Sequence, residues 1–216
     1  MAAVKGGDQE TRRYRSAVRE ECARRTRRAV VVAATELFQE QGYGRTTLAQ
    51  VAARAGVARP TVTAAFGSKP ALLAEALAGD DDPIPVAERP WFQPVWDAGT
   101  PQDVLAAYAR VCTVIGGRAG SLFEVLRRAA DASPELVELW DRTQRNRRAG
   151  ARMVVDRLHA VGAPKGGRAQ VEKQVDALWF YNDPAHHHTM VSECGWRERD
   201  FTTWLAARMV DALLSG

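Results

Sequence analysis

The sequence predicts an all-α protein in which a small N-terminal helical bundle precedes a larger one. Apolar residues recur at the three- and four-residue spacing of amphipathic helices through most of the chain. Glycine and proline cluster between these periodic segments, where helices end and begin. No stretch shows the two-residue alternation of a convincing strand, and no internal repeat is evident.

Composition limits the class of protein further. The 216 residues are 46% hydrophobic, which suits one large or two small domains with a sizeable core. No apolar run reaches the roughly 18 residues of a membrane span, and the first residues lack the apolar middle of a secretion signal. Cys22, Cys112 and Cys194 share no metal-ligand spacing and indicate no disulfide framework. We therefore expect a cytoplasmic protein with no membrane partner.

Charge is distributed unevenly along the chain. Residues 1–79 contain 13 Lys/Arg and 7 Asp/Glu, a balance of +6, whereas residues 80–216 contain 17 and 19, a balance of −2. A basic first third suggests a polyanionic partner for that part. On charge alone, a solvated arginine-rich surface is the alternative.

The first two helices of the N-terminal bundle have recognisable ends. Helical periodicity starts near Arg24, and Gly42 is placed to end that helix. Thr47 and Gln50 fit a capping box, in which each side chain satisfies a free backbone N–H of the other residue. The second helix is therefore expected at about 48–55.

The next two helices follow closely. Gly56 provides a tight turn, because glycine adopts positive φ without a Cβ penalty. Pro60 favours a helix in its first turn, and this helix is expected to end near 66–67. Ser68 can cap a fourth helix that runs through Leu77.

The spacing of three residues indicates a helix-turn-helix. Ala52 is small where a second helix would cross it, Gly56 turns the chain four residues later, and apolar Val62 follows six residues after that. Each match is weak alone, but together with the capping residues they are fairly specific.

The second half of the chain is predicted to be a larger bundle. Residues 80–101 contain five prolines and an acidic run, which indicates a long connection. Apolar stripes then predict helices at about 134–162, 168–182 and 198–214.

The N-terminal third resembles the DNA-binding domain of the tetracycline-repressor (TetR) family over about residues 24–78. The runs "ELFQEQGYGRTTLAQVAARAGV" and "FGSKPALL" carry the resemblance. "PELVELWDRTQRNRR" and "GWRERDFTTWL" are similar, less specifically, to segments of the family's variable C-terminal domain. The resemblance implies a homodimeric transcriptional regulator, usually a repressor, that a small ligand releases from double-stranded DNA. A two-fold dimer would place two recognition helices in successive major grooves, about 34–36 Å apart.

The resemblance and the expected exposed face of the third helix together assign the DNA-binding residues. These are Arg24, Tyr43, Thr47, Arg59, Thr61, Thr63 and Lys69. Arg59 is the best base reader, because a guanidinium can bond guanine O6 and N7 together; a phosphate contact alone is the alternative. Thr47 and Lys69 match family positions at helix starts, where phosphate binds.

Two departures from the family pattern predict a weaker grip on DNA. Thr63 stands where the family commonly has tyrosine, and Ala58 stands where a capping serine is common. Each lost contact corresponds to roughly 1 kcal/mol. An arginine-rich arm over Arg12–Arg19 could offset the loss in the minor groove or along phosphates, or it could be a solvated tail.

Aromatic and apolar residues of the second half supply two further sets of candidates. The expected lining of a hydrophobic ligand pocket is Tyr108, Cys112, Phe123, Trp140 and Trp179, although plain core is the alternative. The expected dimer interface is Val175, Leu178, Phe201, Trp204 and Leu205, although these could equally be internal core.

No metal, cofactor or catalytic site is expected. Adjacent histidines in "HHHTMVSEC" (His186–Cys194) lie about 100° apart on a helix and cannot all face one ion; a capped helix start after Asp183, with exposed histidines, is the better interpretation. Walker-type, "GxSxG" and "HExxH" motifs are absent, so an enzyme is not expected. "GGRAG" (116–120) and "KGGR" (165–168) follow no strand and are interpreted as helix breaks.

These inferences divide the chain into four consecutive parts: a flexible basic arm (1–22), a helix-turn-helix DNA-binding domain (23–79), a proline-rich link (80–100) and a ligand-binding and dimerisation domain (101–216). A second hypothesis is a helical small-molecule- or metal-binding protein with a weakened DNA-binding motif, for which the missing tyrosine is the support.

Overall fold

The computed structural model describes residues 6–79 and 85–214, with side chains from residue 18 onward. Its α-helices are α1 (Gly6–Arg45), α2 (Leu48–Ala55), α3 (Arg59–Phe66), α4 (Lys69–Ala78), α5 (Gln93–Asp97), α6 (Pro101–Ala129), α7 (Pro134–Ala160), α8 (Arg168–Tyr181), α9 (Pro184–His187) and α10 (Glu198–Leu214). A short 3₁₀ turn, Val86–Glu88, precedes α5, and a π-helical segment, His188–Glu193, follows α9. These ranges contain no strand, so the predicted all-α class is confirmed.

The chain forms two compact units, the N-terminal unit (Met1–Ala78) and the C-terminal unit (Gly79–Gly216). In the N-terminal unit, α1 begins at Gly6, not near Arg24 as the periodicity predicted. The segment expected to be a flexible arm contains no proline and many arginines and glutamates, which favour helix. Glu21 and Arg24 also form an ion pair of 2.6 Å one turn apart. Residues 1–5 lie outside the described ranges.

Gly42 interrupts α1, as expected, with a φ of 78° that only glycine adopts without strain. The turn behind it is held by Thr46, whose buried hydroxyl lies 2.8 Å from the Gly42 carbonyl oxygen and 3.2 Å from that of Leu37. The helices then enclose a core of fully or nearly fully buried side chains, namely Ala34, Phe38, Val51, Val62, Leu72 and Leu73.

Two arginines of the N-terminal unit join its helices rather than face solvent alone. Arg27 of α1 donates from Nε to Glu75 of α4 at 2.9 Å, and its guanidinium carbon lies 4.5 Å from the ring centre of Phe66 in α3. Arg54 of α2 pairs with Glu40 of α1 at 2.9 Å. These contacts fix the orientation of α2 and α3 against α1.

The C-terminal unit is organised around α6, which packs against α5, α7, α9 and α10, while α8 packs against α7 and α10. The core also includes Phe92 and Val95, which are 5% and 0% exposed. These residues belong to the segment predicted as a link. Residues 91–98 therefore pack on the bundle, with Trp91 and Trp96 partly buried beside Phe92 and Val95, whereas Val86 is exposed.

The glycines of "GGRAG" are not a helix break, contrary to the prediction, because they lie within α6. A Cβ on Gly116 would lie 2.3 Å from the Cβ of His187, and one on Gly120 would lie 2.8 Å from the Pro184 carbonyl oxygen. These glycines let α9 approach the backbone of α6. "KGGR", in contrast, does lie between helices, with Gly166 at a φ of 62°.

The start of α9 is capped as predicted, but its histidines are not exposed. The Asp183 carboxylate accepts a hydrogen bond from the Ala185 amide at 2.9 Å. His187 is 5% exposed and packs edge-on against Phe201, with ring centres 5.4 Å apart, and His186 and His188 are half-buried. The prediction of exposed histidines was wrong because α9 lies against α6 rather than in solvent.

The residues assigned to a dimer interface are largely internal. Val175, Leu178, Phe201 and Leu205 are 0–1% exposed within the single chain. They pack α8 and α10 against the rest of the bundle, so they are not available to a second chain. Trp204, the fifth residue of that set, is half-buried.

Candidate nucleic-acid interface and candidate ligand pocket

The helix-turn-helix is held by local hydrogen bonds that the sequence predicted. The Thr47 hydroxyl accepts from the Gln50 amide at 3.2 Å, and the Gln50 side-chain oxygen accepts from the Thr47 amide at 2.9 Å. These two bonds complete the capping box of α2. Gly56 ends α2 with a φ of 68°, and the Val57 amide returns to the Ala52 carbonyl at 3.0 Å.

The inner face of the motif is closed, which determines the outer face. Ala52 is 3% exposed and Val62 is 0% exposed, as expected for residues between two crossing helices. Arg59, Thr61 and Thr63 are all exposed. Among the described residues, the Arg59 guanidinium has no hydrogen-bond or ion-pair partner, so its five N–H donors are free for an external acceptor.

The two threonines of α3 differ in what they offer. The Thr63 hydroxyl donates to the Arg59 carbonyl of its own helix at 3.3 Å, a common arrangement for threonine inside a helix. This bond engages the only hydrogen that the hydroxyl has. Its oxygen can still accept, and its methyl group can still contact a base. Ala58 caps α3 without a side-chain hydrogen bond, as its residue type requires.

Lys69 has a role that the sequence did not reveal. Its ammonium donates to the carbonyl oxygens of Tyr43 and Thr46, both at 2.9 Å, and lies 4.1 Å from the ring centre of Tyr43. Burial lowers the pKa of Lys69. Two of the three ammonium donors therefore close the turn after α1, and one remains for another acceptor.

The two remaining candidates lie on α1 or just behind its interruption. Tyr43 is half-buried and stacks on Phe38, with ring centres 5.8 Å apart and planes inclined by 17°. Arg24 is exposed and paired with Glu21. Tyr43 thus belongs to the scaffold of the turn, whereas Arg24 is on the surface.

In the C-terminal unit, a buried arginine brings four of the five predicted pocket residues together. The Arg147 guanidinium carbon lies 5.2 Å from the ring centre of Phe123 and 5.6 Å from that of Trp179. Trp140 lies against the other side of this cluster, its ring centre 5.3 Å from that of Phe123. Asn182 donates to the Tyr108 hydroxyl at 3.0 Å.

Cys112 completes this set. It is buried on α6 one turn after Tyr108, and burial raises the pKa of its thiol to about 12. Burial likewise raises the pKa of Tyr108. Both groups are therefore neutral near neutral pH, and the charge in this region belongs to Arg147.

Arg147 was missed because it stands in the arginine-rich run "RTQRNRR", which is typical of a solvated helix face. A signal was present nevertheless. Arg147 lies seven residues after Trp140 and seven before Val154, and a seven-residue step keeps side chains on one face of a helix. Trp140 and Val154 are apolar residues of the helix predicted at about 134–162, so this spacing places Arg147 on their face of the helix.

A concave surface lies at the turn between α6 and α7. This open groove of about 640 Å³ is lined by residues that include Asp131, Ser133, Glu138, Asp141 and Arg145. None of the predicted pocket residues lines it. Its lining also includes Ala132, Pro134 and Val137, so acidic and apolar side chains are mixed there.

The fold and the exposed face of α3 define the N-terminal unit as a helix-turn-helix domain, a class that presents its second helix to the major groove. Residues 30–76 match the family model described as "Bacterial regulatory proteins, tetR family". The N-terminal unit therefore contains a tetR-type helix-turn-helix, as its motif predicted.

Solved structures show the same fold over nearly the whole chain. A transcriptional regulator from Rhodococcus sp. Rha1 is 19% identical with a TM-score of 0.62, over 88% of this chain and 96% of that one. The regulator FadR from Bacillus subtilis, in complex with stearoyl-CoA, is 14% identical with a TM-score of 0.67, over 85% and 97%. A SmeT–triclosan complex is 21% identical with a TM-score of 0.59, over 87% and 90%. No curated protein matches the chain.

The described ranges offer neither a membrane span nor a metal cluster. No helix there combines the length and apolarity that a membrane crossing requires. No group of three or more His, Cys, Asp or Glu side chains is placed there to hold a metal ion.

Proposed function

We propose that this protein is a cytoplasmic, homodimeric DNA-binding repressor that a small molecule releases from a near-palindromic operator. The observation that carries the proposal is the outer face of α3, where Arg59, Thr61 and Thr63 are exposed. The rest of the helix-turn-helix is packed or hydrogen-bonded behind this face. A scaffold that presents the free guanidinium of Arg59 at the start of α3 suits insertion of that helix into the major groove.

Arg59 is proposed to read a base, preferably guanine. It is the first residue of α3 and is not held by any other described side chain, so it can align with O6 and N7 of one base. Thr61 and Thr63 are proposed to contact a thymine methyl or a phosphate. Thr47 and the third donor of Lys69 are proposed to bind phosphate at the starts of α2 and α4. Arg24 is proposed to follow the backbone, and Tyr43 to brace the turn beside it.

The test is a binding titration with the DNA upstream of the protein's own gene, against a random duplex of equal length. We expect preferential binding that weakens steeply with salt, because phosphate contacts release counterions. Arg59→Ala should weaken specific binding by about 1–3 kcal/mol, or roughly 5- to 150-fold, because it removes a bidentate base contact. Arg128→Ala, which removes an exposed arginine paired with Glu124 on α6, is the matched control and should bind as the wild type does. Equal affinity for both duplexes would refute the proposal.

Dimerisation is proposed through the outer faces of α8 and α10. The inner faces of these helices are core, but exposed or half-buried aromatic residues lie beside them: Phe180 is 60% exposed, Trp196 is 37% exposed, and Trp204 contacts Trp196 with ring centres 6.0 Å apart. Large aromatic side chains are enriched in protein interfaces. Trp204→Arg should convert a dimer to a monomer in sedimentation experiments. A wild-type monomer at concentrations that saturate DNA would contradict this part of the proposal.

Release by a ligand is proposed to act through the cluster around Arg147. Stearoyl-CoA and triclosan, in the complexes named above, show that proteins of this fold bind small molecules. In this chain the proposed pocket comprises Tyr108, Cys112, Phe123, Trp140 and Trp179 around Arg147. Ligand binding would shift the population of dimers toward one in which the two recognition helices no longer fit both half-sites.

One observation favours the alternative of a small-molecule-binding protein with a weakened DNA motif. Thr63 bonds to its own helix and Lys69 to the turn after α1, so two family DNA contacts are reduced. Unchanged DNA affinity in Arg59→Ala would favour this alternative. Thr63→Tyr should tighten non-specific binding if the DNA-binding function is right, and a fall in affinity would indicate that Thr63 reads bases directly.

A further inference from the structure

The positive charge of Arg147 is largely buried and has little stabilisation from negative charges. Its side chain is 12% exposed, and the nearest carboxylate among the described residues is that of Asp183, whose oxygen lies 3.4 Å from Nη1. A strong charge-assisted hydrogen bond would be about 2.7–2.9 Å long. Two aromatic faces, those of Phe123 and Trp179, supply the remaining stabilisation of the charge. A negatively charged group would therefore be favoured beside this guanidinium.

The hydrogen bonds of the cluster show where such a group would bind. Arg147 donates from Nη1 to Gln144 at 2.6 Å, and from Nη2 to the Trp179 carbonyl at 2.8 Å and to Asn182 at 2.9 Å. Its Nε–H is buried and has no acceptor among the described residues. The indole N–H of Trp179 is also buried without an acceptor in the same part of the chain.

Two buried donors without acceptors in neighbouring side chains are unusual, because nearly all buried polar groups in proteins are hydrogen-bonded. Both donors belong to side chains that contact each other through the guanidinium and the indole ring. The cluster therefore has a surplus of N–H groups and a positive charge. What it lacks is an acceptor that brings negative charge and no donor of its own.

We propose that the small molecule bound by this cluster is a carboxylic acid with an apolar body, whose carboxylate accepts from Arg147 Nε and Trp179 Nε1. An ionised carboxylate is the common organic group that only accepts hydrogen bonds and carries a negative charge. The apolar body fits against the rings of Phe123 and Trp140. Trp140, Gln144 and Trp179 are each half-buried, so the cluster reaches the surface. Because the two donor atoms are buried, a ligand reaches them when these half-buried side chains move aside.

This inference rests on the proposed function in one respect, that the C-terminal unit binds a regulatory small molecule. It adds the chemical class of that molecule and the two groups that recognise it. Its test is therefore made on ligand binding and does not use DNA.

Calorimetric titrations with three acids and their matched amides provide the test: benzoate, 2-naphthoate and decanoate against benzamide, 2-naphthamide and decanamide. We expect at least one acid to bind at least about tenfold more tightly than its amide, which corresponds to about 1.4 kcal/mol. Arg147→Gln should abolish this preference. Arg152→Gln, which removes a half-buried arginine of α7 paired with Glu172 of α8, should keep it. Equal binding of acid and amide, binding of none of the acids, or an acid preference that survives Arg147→Gln would each overturn the proposal.

Trp179→Phe serves as a second variant that does not depend on the folding of Arg147→Gln. It removes only the unpaired N–H and part of a ring, so the unliganded protein should unfold at nearly the wild-type temperature. Binding of the acid should fall at least fivefold, while binding of the amide should not change. Undiminished acid binding by this variant would exclude Trp179 from the site and overturn the assigned geometry.

A DNA titration with the same acid separates this inference from the proposed function. If the protein binds no specific DNA but still prefers the acid to the amide, the proposed function fails and the ligand class stands. If specific DNA binding is found and no acid binds, the proposed ligand class is wrong and the proposed DNA-binding function stands.

Discussion

The contact between α6 and α9 makes a sharp prediction for Gly116→Ala. Alanine normally stabilises a helix relative to glycine, by about 1 kcal/mol in an exposed position. At Gly116, however, the new Cβ would lie 2.3 Å from the Cβ and 2.7 Å from the Cγ of His187. The Cβ of His187 is bonded directly to the backbone and cannot rotate away, so α9 itself has to move.

The magnitude follows from this overlap. Carbon atoms in contact prefer a separation of about 3.5–4.0 Å. The 2.3 Å approach therefore demands a shift of more than about 1 Å in a buried helix. Forcing extra atoms into a packed core costs about 1–3 kcal/mol. After the gain of about 1 kcal/mol in helix propensity, we expect a net loss of up to about 2 kcal/mol in the free energy of unfolding, or up to roughly 4–8 °C in Tm.

The assay is thermal unfolding followed by circular dichroism, with Gly150→Ala as the matched control. Gly150 lies within α7, and a Cβ there would meet nothing within 4 Å. Gly150→Ala should therefore raise Tm, whereas Gly116→Ala should lower it. Because both variants gain the same helix propensity, opposite changes in Tm would isolate the steric effect of the new methyl group at Gly116.

A double variant identifies the partner in the clash. His187→Gly removes the Cβ and Cγ that the new methyl group would meet, so Gly116→Ala should cost much less in that background. His187→Ala would not rescue it, because the Cβ at 2.3 Å remains. If Gly116→Ala and Gly150→Ala raise Tm alike, the close packing of α9 on α6 is wrong.

Three further predictions concern single side chains. Lys69→Met should lower the free energy of unfolding of the N-terminal unit by about 1–3 kcal/mol in urea titrations, because two carbonyl oxygens lose a charged donor; a change below about 0.5 kcal/mol would contradict the bracing role. Burial lowers the pKa of His187 despite the Glu198 carboxylate 3.6 Å away, so the unfolded chain binds more protons and stability should fall as pH drops below about 6.5. His187→Gln should flatten that dependence between pH 7 and pH 5, and an unchanged slope would assign it to other groups. A maleimide reagent should modify exposed Cys194 in the native protein and leave Cys112 intact, because Cys112 is buried and its thiol is protonated; mass spectrometry of tryptic peptides distinguishes the two.

Much of the N-terminal unit could be predicted, because its signals are local. The capping box at Thr47, the left-handed turn at Gly56 and the Ser68 cap of α4 each involve residues a few positions apart. The exposed face of α3 follows from the same periodicity that buries Val62. What could not be predicted is the ammonium of Lys69 closing the turn at Tyr43, because those residues are 26 positions apart.

The C-terminal unit was predictable as a class and less so in its contacts. The helix bounds at 134–162, 168–182 and 198–214 agree with α7, α8 and α10 to within two residues. Four of the five residues predicted for the dimer interface are buried within the single chain. The sequence could not show this, because a buried apolar stripe has the same pattern whether it faces its own chain or another. The aromatic pocket candidates did converge, but on an arginine whose burial only the long-range packing of α6, α7 and α8 reveals.

The sequence by itself determined the all-α class, the helix-turn-helix and the residues that its third helix presents. It did so because caps, turns and helical periods depend on neighbours along the chain. Only the tertiary structure decided that the glycines of α6 accommodate α9, that His187 is buried, and that Arg147 lies among aromatic rings with an unpaired donor. Those properties depend on which distant segments meet. Hydrophobic burial is non-directional, so an apolar stripe does not specify its partner, and the packing of the whole unit determines which segments meet.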